Sequence, residues 1–232
     1  RLRITVLNKK KIHWKKNKYR KLGLCAGIIG ATALLLLVIY MVCSVLGAKR
    51  EEERVREADT MLAELNLSVN LLEINKYSRP GTKLEKVKGV VVHYTANPGT
   101  DAIANRNYFN NLPKINAKKG TNTYASSHFV IGIDGTIVQC IPTGEIAYAS
   151  NDRNLDTISI ECCHKKKSGK FTKETYRSLI RLTKYLCIRF GLEIKDVIRH
   201  YDVTGKNCPK YFVEHPDAWT RFLAETEAEL AQ

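Results

Sequence analysis

From Leu22 to Leu46 the chain carries no charged residue, and ahead of that run it carries no acidic one. The first absence leaves a stretch, LGLCAGIIGATALLLLVIYMVCSVL, that at about 1.5 Å per helical residue crosses a hydrocarbon core about 30 Å thick. A cleaved signal peptide is the rival reading, but its apolar core is usually about 7–15 residues long. The possible cleavage sites Cys43-Ser44-Val45 and Leu46-Gly47-Ala48 are weak ones. Residues 22–46 are therefore read as a retained transmembrane helix. The second absence sets its direction. The cations from Arg1 to Lys21 have no acidic neighbour, and juxtamembrane Lys and Arg stay on the cytoplasmic side. Residues 1–21 are expected to form a basic cytoplasmic tail, with everything beyond Ala48 outside a plasma membrane that the chain spans once. That tail supplies much of the net charge of +15. A topology signal with some attraction to anionic lipid is favoured over nucleic acid binding.

The chain also lacks internal repeats, disulfide-framework spacing and any Cys-x-x-Cys pair. Of its seven cysteines, Cys25 and Cys43 fall in the apolar run and read as small apolar residues. The other five, Cys140, Cys162, Cys163, Cys187 and Cys208, would face outside, and an odd number with this spacing is no disulfide scaffold. Cys162 and Cys163 are adjacent on an expected strand, so they point to opposite faces and read as ordinary packing.

What is present divides into a stalk and a mixed domain. Over 47–80, the apolar positions Val55, Ala58, Leu62, Leu65, Val69 and Leu72 recur in steps of three and four. This pattern fits either a short coiled coil, giving a possible homodimer, or one amphipathic helix lying against the rest of the chain. Arg79-Pro80-Gly81 ends it. Residues 81–232 read as an α/β domain. Strands are expected at Val87–Tyr94, His128–Ile133, Thr136–Ile141, Thr157–Cys163 and Val197–His200, with a hairpin at Asp134-Gly135. Helices are expected at Asp101–Leu112, Lys173–Phe190, closed by Gly191, and Pro216–Ala231, with a basic loop near Lys114–Asn122. A single mixed central sheet flanked by helices is the natural architecture.

Three potential metal ligands lie at or beyond strand ends. His93 closes VVVHYTAN, His200 follows VIR, and Cys208 stands eight residues later in RHYDVTGKNCP. Two imidazoles and a thiolate form a tripod with a fourth position open for water, the pattern of a catalytic zinc ion. A structural zinc site would close with four protein ligands. Taken singly, a histidine at a strand end is more often hydrogen-bonded structure.

The segments VVVHYTANPGT, SSHFVIGIDGTIVQCIP, ISIECC and RHYDVTGKNCP, in this order, resemble the zinc-dependent N-acetylmuramoyl-L-alanine amidases, which include bacteriophage lysins and are related to peptidoglycan recognition proteins. The resemblance spans about Lys88–Trp219. It implies that His93, His200 and Cys208 hold one Zn²⁺, that Glu161 moves protons, and that Lys206 polarises the scissile carbonyl. It implies peptidoglycan as substrate, cut between the muramoyl lactyl group and L-alanine. Some relatives use a tyrosine just before the second motif's histidine; here that position is Ser127, which throws the proton work onto Glu161. Tyr94, Asn97, His128, Tyr148 and Asn151 are candidate substrate contacts, although for His128 a structural role is the alternative. Asp202 either orients an imidazole or caps a turn. Related recognition proteins bind without cutting but typically lack the cysteine, so a binding-only module is the second reading and a tethered interaction protein the third.

Overall fold

The computed structural model describes residues 2–231, with side chains before Thr32 described only at Trp14, Lys18 and Arg20. Most of the basic tail and Cys25 therefore lie outside the described side chains. The chain divides into two units, Arg1–Glu53 and Arg54–Gln232. The first is wholly helical, part of helix α1 (Leu2–Glu64). Its segment from Thr32 onward is long and apolar enough to cross a membrane, and Leu34–Leu46 carries exposed large apolar side chains.

The second unit is built on a six-stranded mixed sheet in the order β1-β4-β3-β5-β2-β6. The strands are β1 (Leu67–Val69), β2 (Gly89–Tyr94), β3 (Phe129–Ile131), β4 (Ile137–Gln139), β5 (Thr157–Cys162) and β6 (Val197–Arg199). Only the β3–β4 hairpin is antiparallel; β2 runs parallel to both β5 and β6. A parallel centre must be covered on both faces, and alternation along the strands supplies the two apolar surfaces. Val90, Val92, Ile158, Ile160 and Cys162 pack on one side with Leu179, Leu182 and Leu186 of α4 (Lys173–Phe190). Phe222 of a late helix (Pro216–Leu230) joins them there. Val130, Val138, Cys140 and Cys163 pack on the other side with Phe109 of α2 (Ala102–Asn110). The described cysteines are free, and Cys162 and Cys163 fall in the two different cores.

Helix α4 begins at Thr172, whose side chain accepts from the Thr175 amide, and ends at Gly191. Gly191 has φ of +63°, and a Cβ there would stand 2.6 Å from the Arg54 guanidinium. The left-handed turn is what favours glycine there, since the flexible Arg54 end could shift to admit a Cβ.

The stretch expected as a basic loop is instead largely helical: α3 (Leu112–Lys119) follows α2 directly, with Pro113 near its start and Gly120 at its end. Pro113 is tolerated because first-turn amides need no intrahelical partner.

The expected stalk differs more. The helix stops at Glu64, and Leu67–Val69 joins the sheet edge beside β4. Ala58 and Leu65 are buried in the domain's own core and Leu72 in the second core. Of the two readings, the burial of Ala58, Leu65 and Leu72 supports the one in which the helix end lies against its own domain. Arg54 donates to Ile188 O and Arg181 to Glu64 O, tying this segment to α4. The compact unit thus begins at Arg54 rather than at the expected residue 81. A chain starting at 81 is expected to be less stable than one starting at 54 by at least about 3 kcal/mol, from Leu65 and Leu72 alone. Comparative urea unfolding of the two checks this; equal midpoints would show the segment to be dispensable.

Candidate active site

Strand register sets the first two positions. His93 pairs with Glu161 across the parallel β2–β5 ladder, so both side chains leave the same face near the strands' carboxyl ends. Strand β6, on the other side of β2, leads straight into α5 (His200–Thr204), which brings His200 to the same edge. Gly205, at φ of +74°, ends that helix, and the Tyr201 amide donates to Cys208 O at 2.8 Å. The intervening loop therefore returns Cys208 beside His200.

His93 Nδ1 stands 3.1 Å from His200 Nδ1 and 3.8 Å from Cys208 Sγ. The three donor atoms lie within 4.8 Å of one another, and all three residues are buried. The opposite ring nitrogens are held from behind. His200 Nε2 donates to Asn151 Oδ1 at 3.2 Å, and His93 Nε2 meets Ser150 Oγ at 3.1 Å. With its proton committed to Asn151, neutral His200 presents a bare Nδ1 lone pair to the cluster. These three donors can hold a metal ion. Burial, then the neighbouring His200 and Lys206, pushes the His93 pKa well down; burial and Lys206 lower that of His200. Neutral imidazole is the ligating form. Burial raises the Cys208 thiol to about 12.

Glu161 is half-buried, with its Oε2 buried and unpartnered among the described residues. Desolvation raises its pKa to about 8, against the opposing pull of Lys206. A cleft of about 400 Å³ opens onto this group, and Tyr94, Tyr148, Asn151, Glu161, Lys206 and the three donors line it.

Two expected contacts fall elsewhere. Asn97 is exposed in the loop after β2, where its carbonyl accepts from Thr100, and does not line the cleft. His128 is buried behind it. The Ser159 amide donates to His128 Nδ1 and His128 Nε2 donates to Glu145 O, so both ring nitrogens serve structure. Asp202 orients no imidazole: it binds the Arg199 guanidinium at 2.7 Å and caps α5 through the Arg199 amide. That orienting work belongs to Ser150 and Asn151. The sequence reading makes Asn151 a candidate substrate contact, and nothing in the sequence marks Ser150. Asn154 Oδ1 accepts from the amides of Ala149 and Ser150 and so fixes the loop. Asn151 takes φ of +53°, a conformation asparagine tolerates better than most residues. Nothing in sequence spacing links position 151 to position 200. Tyr124, Ser126 and Phe109 also line the cleft.

This is an α/β domain with a two-histidine, one-cysteine group able to hold a metal at the end of a parallel strand pair. The sequence profile described as N-acetylmuramoyl-L-alanine amidase matches residues 83–211, and the chain belongs to that family. It is 36% identical over 172 residues to the N-acetylmuramoyl-L-alanine amidase CwlL of Bacillus licheniformis, covering 68% of this chain and 46% of that one. It is 35% identical over 182 residues to the amidase BlyA of Bacillus subtilis (strain 168), covering 69% and 46%. The chain thus spans about half the length of the curated relatives it matches. Among solved structures, a mutant endolysin from Bacillus subtilis superposes with a TM-score of 0.57 at 28% identity, over 69% of this chain and 97% of that one. The catalytic domain of XlyA superposes with a TM-score of 0.55 at 27% identity, over 68% and 97%.

Two outcomes follow from this geometry. Asn151→Ala is expected to weaken metal binding roughly 10- to 100-fold, as loss of such outer partners does, measured by competition with a chromogenic chelator; unchanged affinity would remove Asn151 from that role. The buried His128 has its pKa lowered to about 4. The unfolded chain therefore takes up a proton that the folded chain refuses. Stability should fall by about 3 kcal/mol as pH drops from 6.5 toward 4, and His128→Asn should flatten that slope in urea titrations.

Proposed function

We propose that this chain hydrolyses the amide bond between the lactyl group of N-acetylmuramic acid and the L-alanine of the peptidoglycan stem, using one zinc ion held by His93, His200 and Cys208. The observation that carries this reading is the convergence of those donor atoms beside the buried carboxyl of Glu161, in a chain of this family. His93 Nδ1 lies 3.1 and 3.8 Å from the other two donors, and all three lie within 4.8 Å of one another, a donor set of the kind that would hold zinc. With three protein donors, one vertex stays open.

When bound, the zinc ion would supply a Lewis acid that makes water acidic near neutral pH and polarises a carbonyl. The remaining work falls to the chain. Glu161 Oε2, free of other partners, takes the proton from the attacking water and returns it to the departing alanine amine. Lys206, on the cleft wall, adds positive charge where the oxyanion develops, a contribution of a few kcal/mol. Tyr94 and Tyr148 line the route of the substrate. Burial of the cluster keeps bulk water from screening these charges.

The uncharged run and the basic tail support a single-pass anchor, with the tail cytoplasmic and the catalytic unit facing the cell wall. Such a tether would confine hydrolysis to peptidoglycan within reach of the membrane.

The test is digestion of purified cell walls, followed by mass spectrometry of the muropeptides and counting of new alanine amino termini. Cleavage is expected at the muramoyl–alanine bond, lost on chelation and restored by zinc. Cys208→Ser should lose both metal and activity. Glu161→Gln should keep the metal while kcat falls roughly 10²–10⁴-fold; full turnover would remove Glu161 from the chemistry. Wall binding with no cleavage by the metal-loaded chain would leave a binding module instead.

A further inference from the structure

Tyr124 is an exposed aromatic in a place where folding gains little from it. Its side chain is 50% exposed and lines the catalytic cleft. The backbone on either side is nonetheless tightly held. The buried side chain of Asn116 donates to Thr123 O and accepts from the Thr123 amide. The next two amides, of Ala125 and Ser126, donate to Tyr77 O and Tyr148 O. The ring is held as well: it meets Tyr148 edge-on at 5.5 Å and 88°, and lies 5.3 Å from Tyr77 at 52°. The result is a stepped row of three tyrosines in which the middle ring is fixed and half open to solvent. A rigid aromatic face costs little conformational entropy when a ligand settles on it.

The two sides of the cleft differ in charge. Tyr124 immediately precedes the β3 region, and the Tyr148 segment is hydrogen-bonded to it; this wall continues through Ala125, Ser126 and Ala149 without a formal charge. Lys206 comes from the segment after β6, on the other flank of the β5–β2 pair that carries Glu161 and His93. A substrate cut at the muramoyl–alanine bond has an uncharged glycan running one way and a carboxylate-bearing peptide running the other. The peptide suits the cationic side. Flat, uncharged aromatic faces suit the apolar C–H faces of pyranose rings.

We propose that Tyr124, braced by Tyr77 and Tyr148, is a glycan-binding platform that seats the saccharide side of the substrate. The proposal rests on the amidase reading and adds the side of the cleft on which the sugar lies. The test uses the full chain in detergent with zinc, and one stem peptide carried either on a lone muramic acid or on longer glycans. Wild type should show KM falling as the glycan lengthens. Tyr124→Ala should raise KM for the longer glycans roughly three- to tenfold, leave kcat nearly unchanged, and abolish the dependence on glycan length. Tyr124→Phe should restore it. Tyr124→Leu, which keeps bulk against Tyr148 without a flat face, should behave as the alanine variant and guards against a folding defect in that variant. Equal KM changes on both substrates, or an effect that tracks peptide length, would overturn the platform while leaving the amidase reading intact. No cleavage of any substrate by wild type would overturn the amidase reading, and this one with it.

Discussion

Two imidazole nitrogens 3.1 Å apart in a buried pocket form an arrangement that a protein core does not favour without a reason. With His200 Nε2 donating to Asn151, its Nδ1 lone pair faces His93 and the sulfur of Cys208. A neutral His93 carrying its proton on Nδ1 can donate to that lone pair, and a cation held by the same donors would take the place of that proton. Burial has already made protonation of both rings unfavourable. These three donors could hold a metal ion, and such a cation would reverse the electrostatics of its neighbours. The Cys208 thiol, which burial drives up to about 12, would become a ligand if a cation there favoured its thiolate.

The rest of the domain serves that geometry. Parallel pairing of β2 with β5 and β6 gathers three chain segments at one sheet edge, where ligands in open α/β sheets are found. The Ala149–Asn154 loop crosses to the same edge and holds both rings from behind. Helices α2 and α4 close the two faces, so the strand ends cannot drift. The end of helix α1 enters this scheme too: its last turns are built into the core and pass within a few residues into the edge strand.

Function divides across the cleft in the same manner. His93 and Glu161 sit on the central strand pair, His200, Lys206 and Cys208 come from the segment after β6 on one flank, and Tyr124 and Tyr148 come from the other. The proposed substrate, with sugar on one side and peptide on the other, would meet walls of different chemistry on either side of one centre.

Much of this was legible in the sequence because it is local. Strand and helix periodicity, the Gly191 cap and the Asp134-Gly135 hairpin depend on neighbouring residues, and β2, β5 and α4 appear where their patterns put them. The order of four motifs singles out His93, Glu161, His200, Lys206 and Cys208 by their recognisable surroundings, and the structure brings all five to one cleft. What sequence could not decide was which long-range partner each group would take. A heptad seam looks the same whether it meets another helix or its own domain, and only packing assigned Ala58 and Leu65 to the core. His128 carries the same imidazole as His93, yet its partners, Ser159 and Glu145, make it structural. Ser150, Asn151 and Tyr124 gain their roles from residues dozens of positions away. Residue type sets what a side chain can do, and tertiary contact alone decides which of those things it does.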